Sequence, residues 1–493
     1  MRQEKTPELW RRHFDDTRAL NVLLRQLADR SSPIDGIAIL NAAAAADGSS
    51  TGNGSSRAGV APATEALEAM QATPVLPVRY AAPPWLATFD RLPKRRMELA
   101  RLPTPIHRWD IRVPFHGAIR EVDVFIKRDD LTGSELGGNK VRKLEFLLAD
   151  ALERGCDSVV TVGGIQSNHC RATAAACARL GLRAHLVLRA GDADAAKRDP
   201  GVAGNLMVMR LCGAQLHLIS DADYASHAGG AAGLVRDLSA RLAEEGALPY
   251  AFTSGGSCGL GCFGYVEAVA ELERQLAANG NGLLAAPPCS PLSAPPRATS
   301  FDTIYFACGS GGTAAGLALG LHLSSLDVEL VGIAVDDSPA HFYAKIDALL
   351  RDALGDAAAR GLPAARELIR IEDGVGEGYA RSTPDEIAAL AAIARQTGVV
   401  LDPVYTLKAV LGMARDLEAR SAAPCGTSTR SAEDIGGATG CSAAVSRGVK
   451  SDPSRPRRVL FIHTGGLLGL FDKSVAVETE LSGDRDWQRY RPT

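Results

Sequence analysis

With 493 residues the chain can bury a large core and, at about 100–200 residues per domain, divides into two or more folded units. Its 54 Lys and Arg against 57 Asp and Glu leave a formal charge of -3, which shows neither the basic footprint of a nucleic-acid binder nor an acidic tail. The ten cysteines are scattered without Cys-x-x-Cys or paired Cys/His spacing, and no apolar run approaches the roughly 18 residues of a membrane helix. The expected partner is a small molecule, with no metal, no nucleic acid and no membrane.

Residues 1–80 read as an N-terminal extension of partly low complexity. Within it Trp10, Leu20, Val22, Leu23, Leu24 and Leu27 have the spacing of one amphipathic helix. Arg11, Arg12, Arg18 and Arg25 are interleaved with Glu4, Glu8, Asp15 and Asp16, whereas import peptides are poor in acids. The expected location is the cytoplasm, with mitochondrion or plastid as the alternative.

Further along, the pattern alternates strand and helix. Residues 122–127 read as a strand, and Val141, Leu144, Leu147, Leu148, Ala151 and Leu152 then recur at helical spacing until Gly155. A buried strand at 157–162 leads through Gly163-Gly164 into a helix at about 167–180, closed by Gly181, and 183–188 returns as a strand. The grammar repeats in 303–308, Gly309–Gly312, a helix from about Thr313 and a strand at 328–335. Thr383-Pro384-Asp385-Glu386 has the form of a capping box opening a helix to about Gln396. Strand, loop and helix are expected once more in 399–415, and a last strand, 458–463, runs into Thr464-Gly465-Gly466. Residues 41–63, 279–300 and 421–457 are rich in small and turn-forming residues and read as insertions. The fold class is α/β, with open, mostly parallel twisted sheets flanked by helices.

Ligands of such sheets gather at the carboxyl ends of the strands, where helix N-termini present free N–H groups. Four loops fall at or near such places: 137–140, 163–169, 309–313 and 402–406. Gly309, Ser310, Gly311, Gly312 and Thr313 suit a phosphate, because bare backbone lets N–H groups converge on an anion while the hydroxyls add donors. Gly309, Gly311 and Ala314, with Asp336 ending the next strand, also match a dinucleotide fingerprint, so this loop alone leaves PLP and NAD open. Lys140 stands at a Gly-rich helix entrance whose positive potential opposes protonation and favours a nucleophilic neutral amine. The neighbouring Lys127 and Lys143 read as solvated surface charges.

In this order the motifs resemble the D-cysteine desulfhydrase and 1-aminocyclopropane-1-carboxylate deaminase family of fold type II pyridoxal 5'-phosphate (PLP) enzymes. The resemblance rests on Leu102-Pro103-Thr104-Pro105-Ile106-His107 and residues 127–144, 163–171 and 463–471, and covers roughly 83–473. It implies a tryptophan synthase β-like architecture: a large PLP-binding domain of 81–142 and 252–493, with insertions near 279–300 and 421–457, and a small α/β domain of 143–251. A homodimer is implied as well.

By the same resemblance, Lys140 is the Schiff-base lysine and Asn168 the partner of the pyridine-ring hydroxyl. Ser167, Asn168 and His169 face the substrate, Gly309–Thr313 hold the phosphate, and Tyr379 and Tyr405 flank the cofactor and substrate. After Tyr405 the deaminases place a glutamate against the pyridine nitrogen; this chain has Thr406, with Thr464 as a second hydroxyl, while Leu407 stands where relatives usually have glycine. A neutral partner weakens the electron sink and suits loss of a β-thiolate. The implied activity is α,β-elimination of D-cysteine to pyruvate, hydrogen sulfide and ammonia. The alternatives are the cyclopropane deaminase and a non-catalytic PLP or metabolite-binding protein.

Overall fold

In the computed structural model, which describes residues 76–112, 122–279, 300–422 and 456–481, the apolar runs of the sequence become strands. A short antiparallel pair comes first, β1 (Val78–Arg79) and β2 (Arg95–Arg96). Then come β3 (Ile106–Arg108), β4 (Val122–Lys127), β5 (Ser158–Gly164), β6 (Arg183–Arg189), β7 (Gln215–Ile219) and β8 (Pro249–Ala251). The series closes with β9 (Thr303–Cys308), β10 (Glu329–Ala334), β11 (Arg370–Asp373) and β12 (Arg457–Ile462). A six-stranded sheet has the order β11-β10-β9-β12-β4-β3, parallel throughout except for the β3 edge, and a four-stranded parallel sheet has the order β7-β6-β5-β8.

Both sheets are covered on both faces, which is why their strands read as nearly continuous apolar runs. Along β9, Ile304 and Phe306 enter one core while Tyr305 and Ala307 enter the other. In the smaller sheet Val159 and Leu186 pack toward Leu144 and Leu147, whereas Val160 and Val187 pack toward Leu238 and Leu242. The helices that shape the site are α1 (Lys140–Glu153), α2 (Asn168–Leu180), α3 (Gly204–Leu211), α4 (Gly259–Asn279), α5 (Gly312–Leu323), α6 (Pro384–Thr397) and α7 (Thr406–Ala422). The capping box forms as its sequence implies: Thr383 Oγ1 accepts from Glu386 N at 3.1 Å, and Glu386 Oε2 accepts from Thr383 N at 2.9 Å.

Two expectations are corrected. Val399 and Leu401 are buried in the core, but residues 399–401 join no ladder, so α7 is preceded by an unpaired segment. Lys127 and Lys143 are not surface charges; both are almost fully buried. The amphipathic pattern of 10–27, the segment 41–63, and nearly all of 279–300 and 421–457 lie outside the described residues.

Lys127 belongs to a buried charged cluster that ties α1 to α4 and β4. Arg142 on α1 donates through Nε to Asp129 Oδ2 at 2.9 Å and through Nη1 to Glu271 Oε2 at 2.9 Å. Lys127 Nζ meets Glu271 Oε1 at 2.6 Å, and Tyr265 Oη donates to Asp129 Oδ2 at 2.7 Å. Burial alone would raise the Glu271 carboxyl, but Arg142 and Lys127 outweigh it and bring it down to about 2.

Candidate active site

The loops expected to carry chemistry converge on one cleft. Lys140, Ser167, Asn168, His169, Tyr379, Tyr405 and Thr464 all line it, as do Gly309, Ser310, Gly311 and Thr313. Two loops touch so closely that only glycine serves. Gly138 has φ +109° and a Cβ there would lie 2.8 Å from Thr464 O, while one on Gly465 would lie 2.6 Å from Gly138 Cα. This contact, with Asn139 N donating to Thr464 O at 3.0 Å, fixes the entrance of α1 against the end of β12.

Lys140 is the first residue of α1 and its amine is held well below the usual lysine range, first by burial and then by the nearby Lys143 ammonium. The neutral amine is the nucleophilic form. Burial also brings Lys143 down to about 8; its Nζ donates to Gly255 O at 3.2 Å.

At the head of α5 the chain passes from β9 through Gly309 and Ser310 to Gly311, which caps the helix with φ +83°. The helix N-terminus therefore points its free N–H groups at the cleft, as a phosphate requires. Gly312 is packed behind this loop: a Cβ there would meet Ser257 Oγ at 2.7 Å and Lys143 Nζ at 2.9 Å. Ser257 Oγ accepts from Gly312 N at 3.2 Å and pairs with Ser310 Oγ at 2.8 Å, and Thr313 Oγ1 accepts from Asn139 Nδ2 at 3.1 Å.

Ser167 is the N-cap of α2, its Oγ accepting from Cys170 N at 3.1 Å, which leaves its hydroxyl proton available to the cleft. Asn168 Oδ1 accepts from Asn205 Nδ2 at 3.1 Å. His169 Nε2 lies 2.9 Å from Thr161 Oγ1, while its buried Nδ1 has no partner among the described residues. Burial, then Lys140 and Lys143, hold this imidazole well below its usual range and therefore neutral.

Tyr379 and Tyr405 meet hydroxyl to hydroxyl at 2.6 Å, with ring planes 67° apart. Burial and then Tyr379 push the Tyr405 phenol well above its usual range, so it stays protonated. Thr406 does not join them. Its fully buried Oγ1 donates to Asp402 Oδ1 at 2.7 Å and accepts from Asp402 N at 2.8 Å, so Thr464 is the candidate hydroxyl that reaches the cleft. Leu407 points into the apolar core and does not line the cleft.

The pattern of the family described as "Pyridoxal-phosphate dependent enzyme" matches residues 97–427. The chain belongs to the pyridoxal-phosphate dependent enzymes. This PLP enzyme is 40% identical over 396 residues to the bifunctional D-cysteine desulfhydrase/1-aminocyclopropane-1-carboxylate deaminase, mitochondrial, of Arabidopsis thaliana, covering 80% of this chain and 84% of the relative. It is 35% identical over 330 residues to a D-cysteine desulfhydrase of Klebsiella pneumoniae, covering 66% and 89% of the two chains. A crystal structure of a 1-aminocyclopropane-1-carboxylate deaminase homologue aligns with a TM-score of 0.56 at 32% identity, over 80% of this chain and 98% of that one.

The cleft of this PLP enzyme fits the cofactor. It offers a lysine whose amine is held well below its usual range, a helix N-terminus with an open glycine cradle, and a free amide nitrogen on Asn168. The dinucleotide alternative is thereby set aside. Sequence reasoning missed Ser257, which braces the Gly309–Thr313 loop, and Asn205, which holds Asn168. The Ser254-Gly255-Gly256-Ser257 run after β8 was a legible signal for the first; Asn205 carried none.

Proposed function

We propose that the enzyme is a D-cysteine desulfhydrase, converting D-cysteine and water to pyruvate, hydrogen sulfide and ammonia. The carrying observation is the neutral hydroxyl of Thr464 in the cleft, together with threonine rather than glutamate at 406. Among the described residues the only acid lining the cleft is Asp336, which is exposed. The names of the Arabidopsis and Klebsiella relatives support the same reading.

Bound PLP supplies an electron sink for the substrate's Cα electrons. Lys140 would take the Cα proton on Nζ, a role its depressed basicity suits. Ser167 Oγ–H donates to the substrate carboxylate, and Asn168 Nδ2 to the ring oxygen. Gly309, Ser310, Gly311 and Thr313 would hold the phosphate with backbone N–H groups and hydroxyls. The protonated Tyr405, braced by Tyr379, orients the reacting side chain and excludes water.

Ser167→Ala is expected to keep PLP but lower turnover about 10²–10³-fold, the usual cost of one donor that acts at the reacting centre. Unchanged kcat/KM in steady-state assays assigns Ser167 to capping α2 alone. The function itself is tested by rates on two substrates. Sulfide and pyruvate release from D-cysteine should exceed release of 2-oxobutyrate from 1-aminocyclopropane-1-carboxylate; ready turnover of the cyclopropane without D-cysteine turnover makes it a deaminase.

The two sheets, each with its own pair of cores, support a large domain of 81–142 and 252–493 and a small domain of 143–251. The assembly in this reading is a homodimer. Val202, Met207 and Leu211 on or beside α3, and Leu467 and Phe471 in the segment packed against it, are exposed apolar side chains of the kind a second copy covers. Light scattering should find a dimer that Leu211→Glu with Phe471→Glu converts to monomer; a wild-type monomer contradicts this. The cytoplasm is the proposed compartment, with the mitochondrion, which the name of the Arabidopsis relative favours, as the alternative. No helix among the described residues is long and apolar enough to cross a membrane.

A further inference from the structure

The donor and acceptor inventory around Asn168 can be solved outward from groups whose chemistry admits no choice. Arg171 Nε only donates, and it lies 3.2 Å from Asn205 Oδ1. Gln166 O only accepts, and it lies 3.0 Å from Asn205 Nδ2. The two ends of the Asn205 amide are therefore assigned independently and agree. Because Asn205 Nδ2 also stands 3.1 Å from the Asn168 side chain, the Asn168 atom it meets must be the acceptor Oδ1. Asn168 Nδ2 is left facing the cleft as a donor.

This chain of bonds is buried and rigid. Asn205 is fully buried and Arg171 is 3% exposed. Asn205 N also donates to Gln166 Oε1 at 3.0 Å, and Gln166 Nε2 to Ala203 O at 3.1 Å, which closes α3 against the loop that carries Ser167 and Asn168. The remaining arms of Arg171 reach the backbone before Lys140: Nη1 donates to Glu135 O, and Nη2 to Gly137 O at 2.8 Å. One guanidinium thus links the lysine loop to the asparagine loop.

We propose that Asn205 and Arg171 are positioning residues that set the polarity of the Asn168 amide, making its Nδ2 a donor to an anionic ring oxygen of the cofactor. The inference rests on the assignment of Asn168 to the ring hydroxyl. Without the relay, the Asn168 amide is free to turn and present an oxygen to that anion.

Asn205→Asp tests this with little change of shape. The carboxylate still accepts from Arg171 but cannot donate, so Asn168 turns its Nδ2 toward residue 205 and its oxygen into the cleft. In fluorescence titration of the full-length chain, PLP should bind about 10- to 100-fold more weakly, the cost of one hydrogen bond to a charged group. The balance of the cofactor's long- and short-wavelength absorption bands should shift with it. In an Asn168→Ala background the same substitution should add less than about twofold, because its route has been removed. Wild-type affinity and spectrum in Asn205→Asp, with Asn168→Ala impaired, overturn the inference and spare the Asn168 assignment. An effect that persists undiminished in the Asn168→Ala background also overturns it, as a structural role alone. If Asn168→Ala itself binds PLP normally, the assignment of Asn168 falls and the inference falls with it. Should Asn205→Asp not fold, Asn205→Ala carries the same cycle, with the same loss expected and the same disappearance required.

Discussion

Lys140→Ala is expected to lower turnover by about 10²–10⁴-fold, the range for removing a positioned acid–base group. The loss follows from the neutral amine at the head of α1 and not from damage to the fold. Lys140 makes no ion pair among the described residues, and the phosphate loop, Asn168 and the tyrosines are built without it. The variant should therefore still bind PLP through the N-terminus of α5. Its thermal midpoint should not fall, because no buried charge is left without its partner. Small primary amines added to the assay should restore part of the rate by supplying the missing base. Wild-type turnover in Lys140→Ala would move the base to another group in the cleft.

Arg142→Ala is expected to destabilise the enzyme by about 3–5 kcal/mol, the cost of removing one partner from a buried ion-paired cluster. Asp129 and Glu271 each meet this one guanidinium through paired oxygens, and none of the three is more than 3% exposed. The cluster also predicts the acid limb of stability. The Glu271 carboxyl is depressed from 4.5 to about 2, so its contribution is complete above pH 4.5 and is lost as the pH falls through about 2. Denaturant titrations of wild type and Arg142→Ala, at neutral pH and across that acid range, check both statements. A change under 1 kcal/mol in Arg142→Ala would show that the cluster is solvated.

Much of the framework was legible because β4, β9, β10 and β12 are covered on both faces, and the resulting apolar runs are hard to mistake. The capping box at Thr383 and the glycine loops were legible for local reasons, since their hydrogen bonds close within a few residues. What was not legible depends on distant pairing. Lys127 looks like any charged residue until Glu271 and Gln275, 144 and 148 positions away, fold against it. Val399 and Leu401 have strand-like composition but no neighbouring edge to pair with. Thr406 follows Tyr405 directly, yet it is the first residue of α7 and its hydroxyl turns back to Asp402. Asn205 sits in an ordinary helix start and acquires meaning only through Arg171 and Asn168.

The central claim is that Lys140, and no other lysine, carries the cofactor. Borohydride reduction of the wild-type holoenzyme followed by peptide mapping tests it most directly. The pyridoxyl label should fall on the peptide containing Lys140, at one equivalent per chain. Label on Lys127 or Lys143 instead, the buried lysines nearest in sequence, would contradict the assignment of the active centre.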